Sequence, residues 1–243
     1  MLRAANKTLL IFGALTLLIC FWNRNAIPAN IAYRSELERE PRQQAVDRAP
    51  FSVTFHETEY RVEPLYDYEL YGMIVSFREH DGKSRMHRLA HDHLNVADLC
   101  VVWSDTALSE DLRKLDFWNG VFTCNVQTSD SVAWSKFRMD QLSNNHLISA
   151  DPSIRNRIGN VAIGDQIRIK GWLSRYGAVG GPLRGTSTTR TDTGNGACET
   201  IFVNEFEILE PAFSIWRFGL LGSAVLLVIG VVGHFALPYR PYR

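Results

Sequence analysis

Two kinds of pattern follow each other along the chain. Near each end lies an apolar run with no polar face, and between the runs short stretches change polarity every second residue. Residues 8–22 (TLLIFGALTLLICFW) carry no charge and two hydroxyls, Thr8 and Thr16. Residues 218–233 (FGLLGSAVLLVIGVVG) are also uncharged, with Arg217 and His234 at the edges. A helix needs roughly 20 apolar residues to cross a hydrocarbon layer about 30 Å thick. A core helix of a globular domain normally keeps one polar stripe. The two runs therefore predict transmembrane helices over 8–27 and 215–237, with tails at 1–7 and 238–243.

The middle of the chain predicts strands. Phe51–Phe55 (FSVTF) alternates, and Tyr68–Phe77 (YELYGMIVSF) is β-rich, with Gly72 marking a bulge or bend. Leu99–Trp103 reads as a short apolar strand and Gly120–Gln127 as an alternating one. Ile167–Leu173 is apolar at every second position around Gly171. Arg184–Arg190 is a polar strand candidate, and Thr200–Leu209 closes the set. Helical signals are few: Ser109–Leu115, and Pro152–Ile158 behind Asp151 as a plausible N-cap. Residues 28–50, punctuated by Pro28, Pro41 and Pro50, predict a stalk, within which Ser35–Asp47 forms a polar helix or a linker. The β domain then occupies 51–211. Six or seven short strands with one or two short helices predict a mainly β fold, a small barrel or sandwich.

Two resemblances sharpen this. Ile163–Leu173 (IGDQIRIKGWL) resembles the turn-plus-strand of many OB-fold barrels, where a glycine bends the strand around a corner; that implies a small OB-like barrel. A longer stretch covers Ser143–Ala150 (SNNHLISA), the Gly164 strand and Arg184–Glu199 (RGTSTTRTDTGNGACE). It resembles a family of bacterial membrane-anchored proteins, and the likeness extends over about residues 68–209. This implies an envelope setting and carries no activity or catalytic residue with it.

Charge changes the picture in two ways. Lys plus Arg and Asp plus Glu both number 26, so the net charge is zero, which argues against a nucleic-acid partner. With 46% apolar and 21% charged residues the chain is not disordered. The positions of the charges matter more. Arg3, Lys7, Arg240 and Arg243 lie on the outer tails, whereas the acids Glu199, Glu205, Glu207 and Glu210 precede the second run. The positive-inside rule then puts both tails in the cytoplasm. The central domain becomes periplasmic, and the protein a double-spanning resident of a bacterial inner membrane. Arg3 and Lys7 ahead of an apolar segment also describe a signal sequence. Ile27-Pro-Ala29 and Asn30-Ile-Ala32 fit a cleavage site poorly, and Ile19 is too large for the residue before a lipidated Cys20. An uncleaved signal anchor is expected.

Candidate chemistry is sparse. His80, His87, His91 and His93 cluster beside Asp92, but Arg78, Lys83, Arg85 and Arg88 make the neighbourhood hostile to a cation, so no metal and no cofactor is expected. Asp192-Thr-Gly194 spells the aspartic-protease triplet, yet one triplet supplies one carboxylate where that chemistry needs two. It reads better as a turn. Arg184, Arg190 and Asp192, with Ser187 and Thr188, offer a polar pocket for a carboxylate, phosphate or sugar acid. Asn144, Asn145 and His146 follow Ser143, a grouping that more often locks a turn through side-chain hydrogen bonds. Asn144, Asn145, His146, Arg184, Arg190 and Asp192 are therefore the candidate ligand-binding residues, and no catalytic residue is assigned. In an oxidising compartment Cys100–Cys124 is the favoured disulfide, with Cys124–Cys198 next.

The expected function is a non-catalytic envelope protein whose periplasmic β domain binds a membrane or envelope protein partner or an envelope ligand, in an accessory or assembly role. The alternative is a membrane-anchored hydrolase using His146 and the Arg190/Asp192 loop. A weaker alternative is a cytoplasm-facing OB barrel that binds nucleic acid.

Overall fold

The structure, a computed structural model, describes residues 2–80, 92–120, 122–189, 191–192 and 197–237. The expectations for His87, His91, Arg190, Thr193 and Gly194, and for the tail 238–243, lie outside these residues. In chain order the elements are α1 (Leu2–Asn23), β1 (Arg42–Ala45), β2 (Phe51–Phe55), β3 (Thr58–Glu79), β4 (Asn95–Val102), α2 (Ser104–Leu108), β5 (Asp116–Asn119), β6 (Cys124–Gln127), α3 (Ser131–Lys136), β7 (Leu142–Ile148), α4 (Pro152–Gly159), β8 (Gln166–Ala178), β9 (Glu199–Glu210) and α5 (Ile215–Ala236). Short 3-10 turns lie at Ser35–Glu38, Glu110–Lys114 and Met139–Gln141.

Two units result. The terminal segments make one, and residues 29–212 make the other. In the first unit, α1 and α5 are each 22 residues long, with mean hydropathies of 1.8 and 2.1, and both are long and apolar enough to cross a membrane. Small residues allow the two helices to approach. A Cβ on Gly13 would stand 3.2 Å from the Leu227 side chain. Polar groups also link them: Asn6 Nδ2 donates to the Gly230 carbonyl at 2.9 Å, and Arg3 donates to the Leu237 carbonyl at 2.6 Å.

The second unit is dominated by a seven-stranded mixed sheet. Its pairing order is β1-β3-β4-β7-β9-β8, β2 adds to β3, and β8 also pairs with β3. Every pairing is antiparallel except β7–β9. Strand β3 organises the unit because it pairs with β1, β2, β4 and β8. Such a long strand must bend. Pro64 interrupts its ladder with β8, where the register shifts between Pro64 and Tyr66, as expected for a residue without an N–H. At Gly72 a Cβ would collide with the Val102 carbonyl, so glycine is what lets β3 and β4 close up there. The β2–β3 connection is the two-residue loop His56-Glu57, with φ of 45° and 61°, the handedness that matches strand twist. On one side of the sheet Tyr68, Leu70, Ile74, Leu99, Val101, Leu147, Ile167, Ile169, Ile201 and Phe206 form the main core. Helix α4 caps part of it with Ile158. Asp151 accepts from the backbone N–H groups of Ser153 and Ile154, and Pro152 opens the helix.

Several expectations change. Residues 28–50 contain no free-standing stalk: Leu37 is fully buried, Glu40 accepts from Trp103 Nε1 at 2.7 Å, and Gln166 is hydrogen-bonded to both Ala32 and Arg34. Their polar side chains bind the domain through hydrogen bonds, and Arg42–Ala45 adds a strand to β3. Of the expected strand 184–190, the described residues 184–189 form none. Arg184 makes one isolated bridge to Tyr176, and the residues after it are held by side chains: Thr200 Oγ1 donates to the Gly185 carbonyl and its N–H donates to Thr186 Oγ1, both at 2.9 Å. The 120–127 strand shrinks to Cys124–Gln127, because Gly120 and Thr123 close the β5–β6 turn. Ser143–His146 lies within β7, a fully interior strand, and does not form a turn.

Candidate functional site

Strands β4 and β7 set the site through their period of two. Leu99 and Val101 face the core, so Asp98 and Cys100 face the opposite side. The β4–β7 register places Asp98 across from His146 and Cys100 across from Asn144. The β3–β4 register adds Ser76 across from Cys100. The β7–β9 pairing puts Thr200 beside His146. One face of the sheet thus carries a contiguous row of polar side chains, all buried, beneath residues 119–120, 122–124 and 184–189.

At its centre is the Asp98 carboxylate, 1% exposed. His146 Nδ1 lies 2.5 Å from its Oδ1, His80 Nε2 lies 3.0 Å from its Oδ2, and Asn95 Nδ2 donates to Oδ1 at 3.2 Å. On the far side of the imidazole, Arg184 Nη2 sits 2.9 Å from His146 Nε2. Arg184 also pairs with Asp92 at 3.6 Å and stacks its guanidinium 4.3 Å above the Phe122 ring. Asp92 in turn accepts from the Tyr176 hydroxyl at 2.8 Å. Cationic and anionic groups alternate along this chain, which is how several buried charges coexist.

The protonation states follow from the geometry. Burial opposes ionisation of Asp98, but hydrogen bonds from His146 and His80 outweigh it and hold the carboxyl well below the usual carboxylate range. Burial pushes the His146 pKa down, against the pull of Asp98, and Arg184 and His80 push it the same way. A neutral imidazole carrying its proton on Nδ1 satisfies all the contacts: Nδ1–H donates to Asp98, and Nε2 accepts from Arg184.

A second polar group adjoins the first. Asn144 Nδ2 donates to Cys198 Sγ at 3.5 Å, and the thiol lies 3.3 Å from the Phe122 carbonyl. Asn119 links Asn144 to Ser76 Oγ and to the Asp98 carbonyl. Burial raises the Cys198 pKa, so the sulfur stays a thiol and a weak nucleophile. Cys100 and Cys124 are joined in a disulfide with their Cα atoms 5.7 Å apart, which ties the β5–β6 hairpin to β4 above the same face.

The six sequence candidates therefore separate. Asn144, His146 and Arg184 come together. Asn145 points to the opposite face, where its Nδ2 donates to Ser143 Oγ at 2.8 Å and to the Leu99 carbonyl at 3.3 Å. Asp192 accepts from Ser187 Oγ at 2.6 Å and is not a partner of His146; Arg190 is outside the described residues. The carboxylate that orients His146 is Asp98, which sequence reasoning missed. The signal for it was slight: Asp98 stands directly before the apolar run LCVVW, where a strand would put it on the same face as Cys100. Among the described residues no group of His, Cys, Asp and Glu is arranged to hold a metal ion. Comparison with family models, curated proteins and solved structures finds no match for this chain, so its assignment rests on the geometry above.

Proposed function

We propose that this chain is a membrane-anchored envelope protein whose central unit is a non-catalytic binding domain for a membrane or envelope protein partner. Both apolar helices cross a bacterial inner membrane, both tails are cytoplasmic, and residues 29–212 face the periplasm. At 1.5 Å per residue a 22-residue helix spans roughly 33 Å, enough for the hydrocarbon layer. The central unit is an OB-like barrel. Support comes from the pairing cycle β3–β4–β7–β9–β8, which returns to β3, since closure of this kind removes open sheet edges.

The observation that carries the non-catalytic assignment is the engagement of both nitrogens of His146. A general base needs a free lone pair within reach of substrate, and Arg184 occupies the one on Nε2. A partner surface is available elsewhere: Val132 and Trp134 on α3 are 55% and 49% exposed, and Trp118 is 43% exposed. Large apolar and aromatic side chains of this kind anchor protein interfaces. The test is photo-crosslinking in cells, with a crosslinking amino acid at position 132 or 134 of the full chain. A discrete adduct is expected, and its absence at both positions counts against a protein partner. A reporter fused to the C-terminus should be active in the cytoplasm; activity outside the inner membrane overturns the topology.

One observation favours a second reading. A carboxylate on Nδ1 is the arrangement that prepares a histidine for hydrolysis, and Asp98 supplies it. That proposal requires Arg184 to move away from Nε2. Turnover of ester or phosphate substrates that is abolished by His146→Ala would establish it and displace the binding role.

A further inference from the structure

Besides the buried cluster, the central unit carries a cavity of about 710 Å³ between the β2–β3 turn, the ends of β3 and β4, and α4. Its lining is rich in cationic and imidazole side chains: Arg155, His56, His80 and His93. Arg155 is the most informative of these. Its Nη1 donates to the carbonyls of Leu94 and Ser149 at 3.1 and 2.8 Å, and its guanidinium lies 4.1 Å over the Phe55 ring. None of these contacts is a carboxylate. The guanidinium is half-buried, and burial lowers its pKa. Among the described residues no carboxylate contacts this guanidinium, and an anion would offset the cost of its partial desolvation.

The other side chains fit the same occupant. The His80 side chain is 5% exposed and is fixed by Asp98 at 3.0 Å, so one imidazole is oriented from behind. The His56 and His93 rings lie with centroids 6.0 Å apart, tilted by 57° to each other. Asn156 on α4 adds an amide group to the lining, whereas Asn160 Nδ2 is already engaged by the Asn156 carbonyl and Oδ1 at 2.7 and 3.1 Å. Glu79, the carboxylate among the described lining residues, is exposed to solvent and so weakens the positive field without neutralising it.

We propose that this cavity binds an oxyanion, with Arg155 as its counter-ion and His56 and His93 as flanking donors. Its volume lies in the range of roughly 300–1,000 Å³ typical of small-molecule sites, well above the size of inorganic phosphate. The oxyanion is therefore one end of a larger molecule, whose apolar part meets Phe55. A phosphate monoester has this chemistry, whether as a soluble metabolite or as a phospholipid headgroup. Calling the occupant a ligand rests on the binding-domain reading above.

The test uses the full chain in a phosphate-free detergent, titrated calorimetrically with inorganic phosphate and with phenyl phosphate. Both should bind, phenyl phosphate more tightly. Arg155→Gln should weaken binding roughly tenfold or more, the scale of a charge-assisted hydrogen-bond pair. Arg155 also holds two carbonyls, so a His56→Gln/His93→Gln variant serves as the structurally mild control. It should weaken binding several-fold with an unchanged unfolding midpoint. No saturable binding, or affinities unchanged in both variants, overturns the site. Repeating the titration in nanodiscs containing phosphatidic acid, whose headgroup is a phosphate monoester, identifies the source: loss of phenyl phosphate binding assigns the lipid headgroup, and retention assigns a soluble ligand. Release of phenol would overturn the binding-domain reading while supporting the oxyanion site. Absence of binding with intact photo-crosslinks would sink the site and leave that reading in place.

Discussion

Acidification should destabilise the central unit through one residue. His146 is 1% exposed, and its pKa is depressed in the fold, first by burial. The unfolded chain takes up a proton as pH falls through about 6.5, and the folded chain does not. The stability this contributes is therefore fully present above the unfolded value and is lost as pH drops toward the folded one. While His146 stays neutral in the fold, one proton bound only by the unfolded state costs about 1.4 kcal/mol per pH unit below pH 6.5, and that slope is the ceiling on the loss. Asp98 does not confuse this window. Its depressed pKa makes its contribution fall away only below about pH 4, where free carboxyls protonate. The assay is urea unfolding of the full chain in detergent, followed by tryptophan fluorescence, since buried Trp103 reports on the central unit. His146→Gln keeps a polar group between Asp98 and Arg184 but removes the titration. The variant should start less stable at pH 7.5 and lose stability less steeply between pH 6.5 and 5. Equal slopes in the two proteins would refute a neutral, buried His146.

Three other perturbations probe the frame. The Cys100→Ser/Cys124→Ser variant opens a loop with a sequence separation of 24 and should cost about 3 kcal/mol on chain-entropy grounds; an unchanged urea midpoint would show that the hairpin needs no tether. Asp151→Ala removes two N-cap hydrogen bonds from α4 and should cost about 1 kcal/mol in the same experiment. Gly171→Ala drives a Cβ into the Phe202 carbonyl. Since backbone must shift, it should cost more than about 2 kcal/mol, and a thermal midpoint equal to that of the parent would contradict the close β8–β9 approach.

What the sequence made legible depended on whether a strand shows water one of its faces. β2 alternates and matches its expected span, Phe51–Phe55. β9 and β8 begin within a residue of expectation, and α4 begins at the expected Pro152 behind the expected cap. β7 was illegible because both its faces are buried, one against the apolar core and the other beneath polar side chains. Asn144 and His146 therefore read from sequence as turn-locking residues. The same masking hid Asp98. His80 was grouped with its sequence neighbours, although its structural partner is Asp98, eighteen positions on. β1 was hidden by composition: Arg42-Gln-Gln-Ala45 contains no apolar strand former and is a strand because β3 offers it an edge.

The reach of β3 sets a timetable for biosynthesis. Its nearest partner in β8 is Gln166 opposite Met73, and the ladder finishes only at Tyr60 with Ala178, so the ribosome must add about ninety residues after Met73 before that ladder can begin to zip and more than a hundred after Tyr60 before it can close. At typical elongation rates the gap is on the order of ten seconds. During it, β3 can find β2 and then β4, but its second edge stays unsatisfied. A nascent chain arrested before residue 178 should therefore expose a long, sticky strand to holdase chaperones, and one released after residue 210 should not.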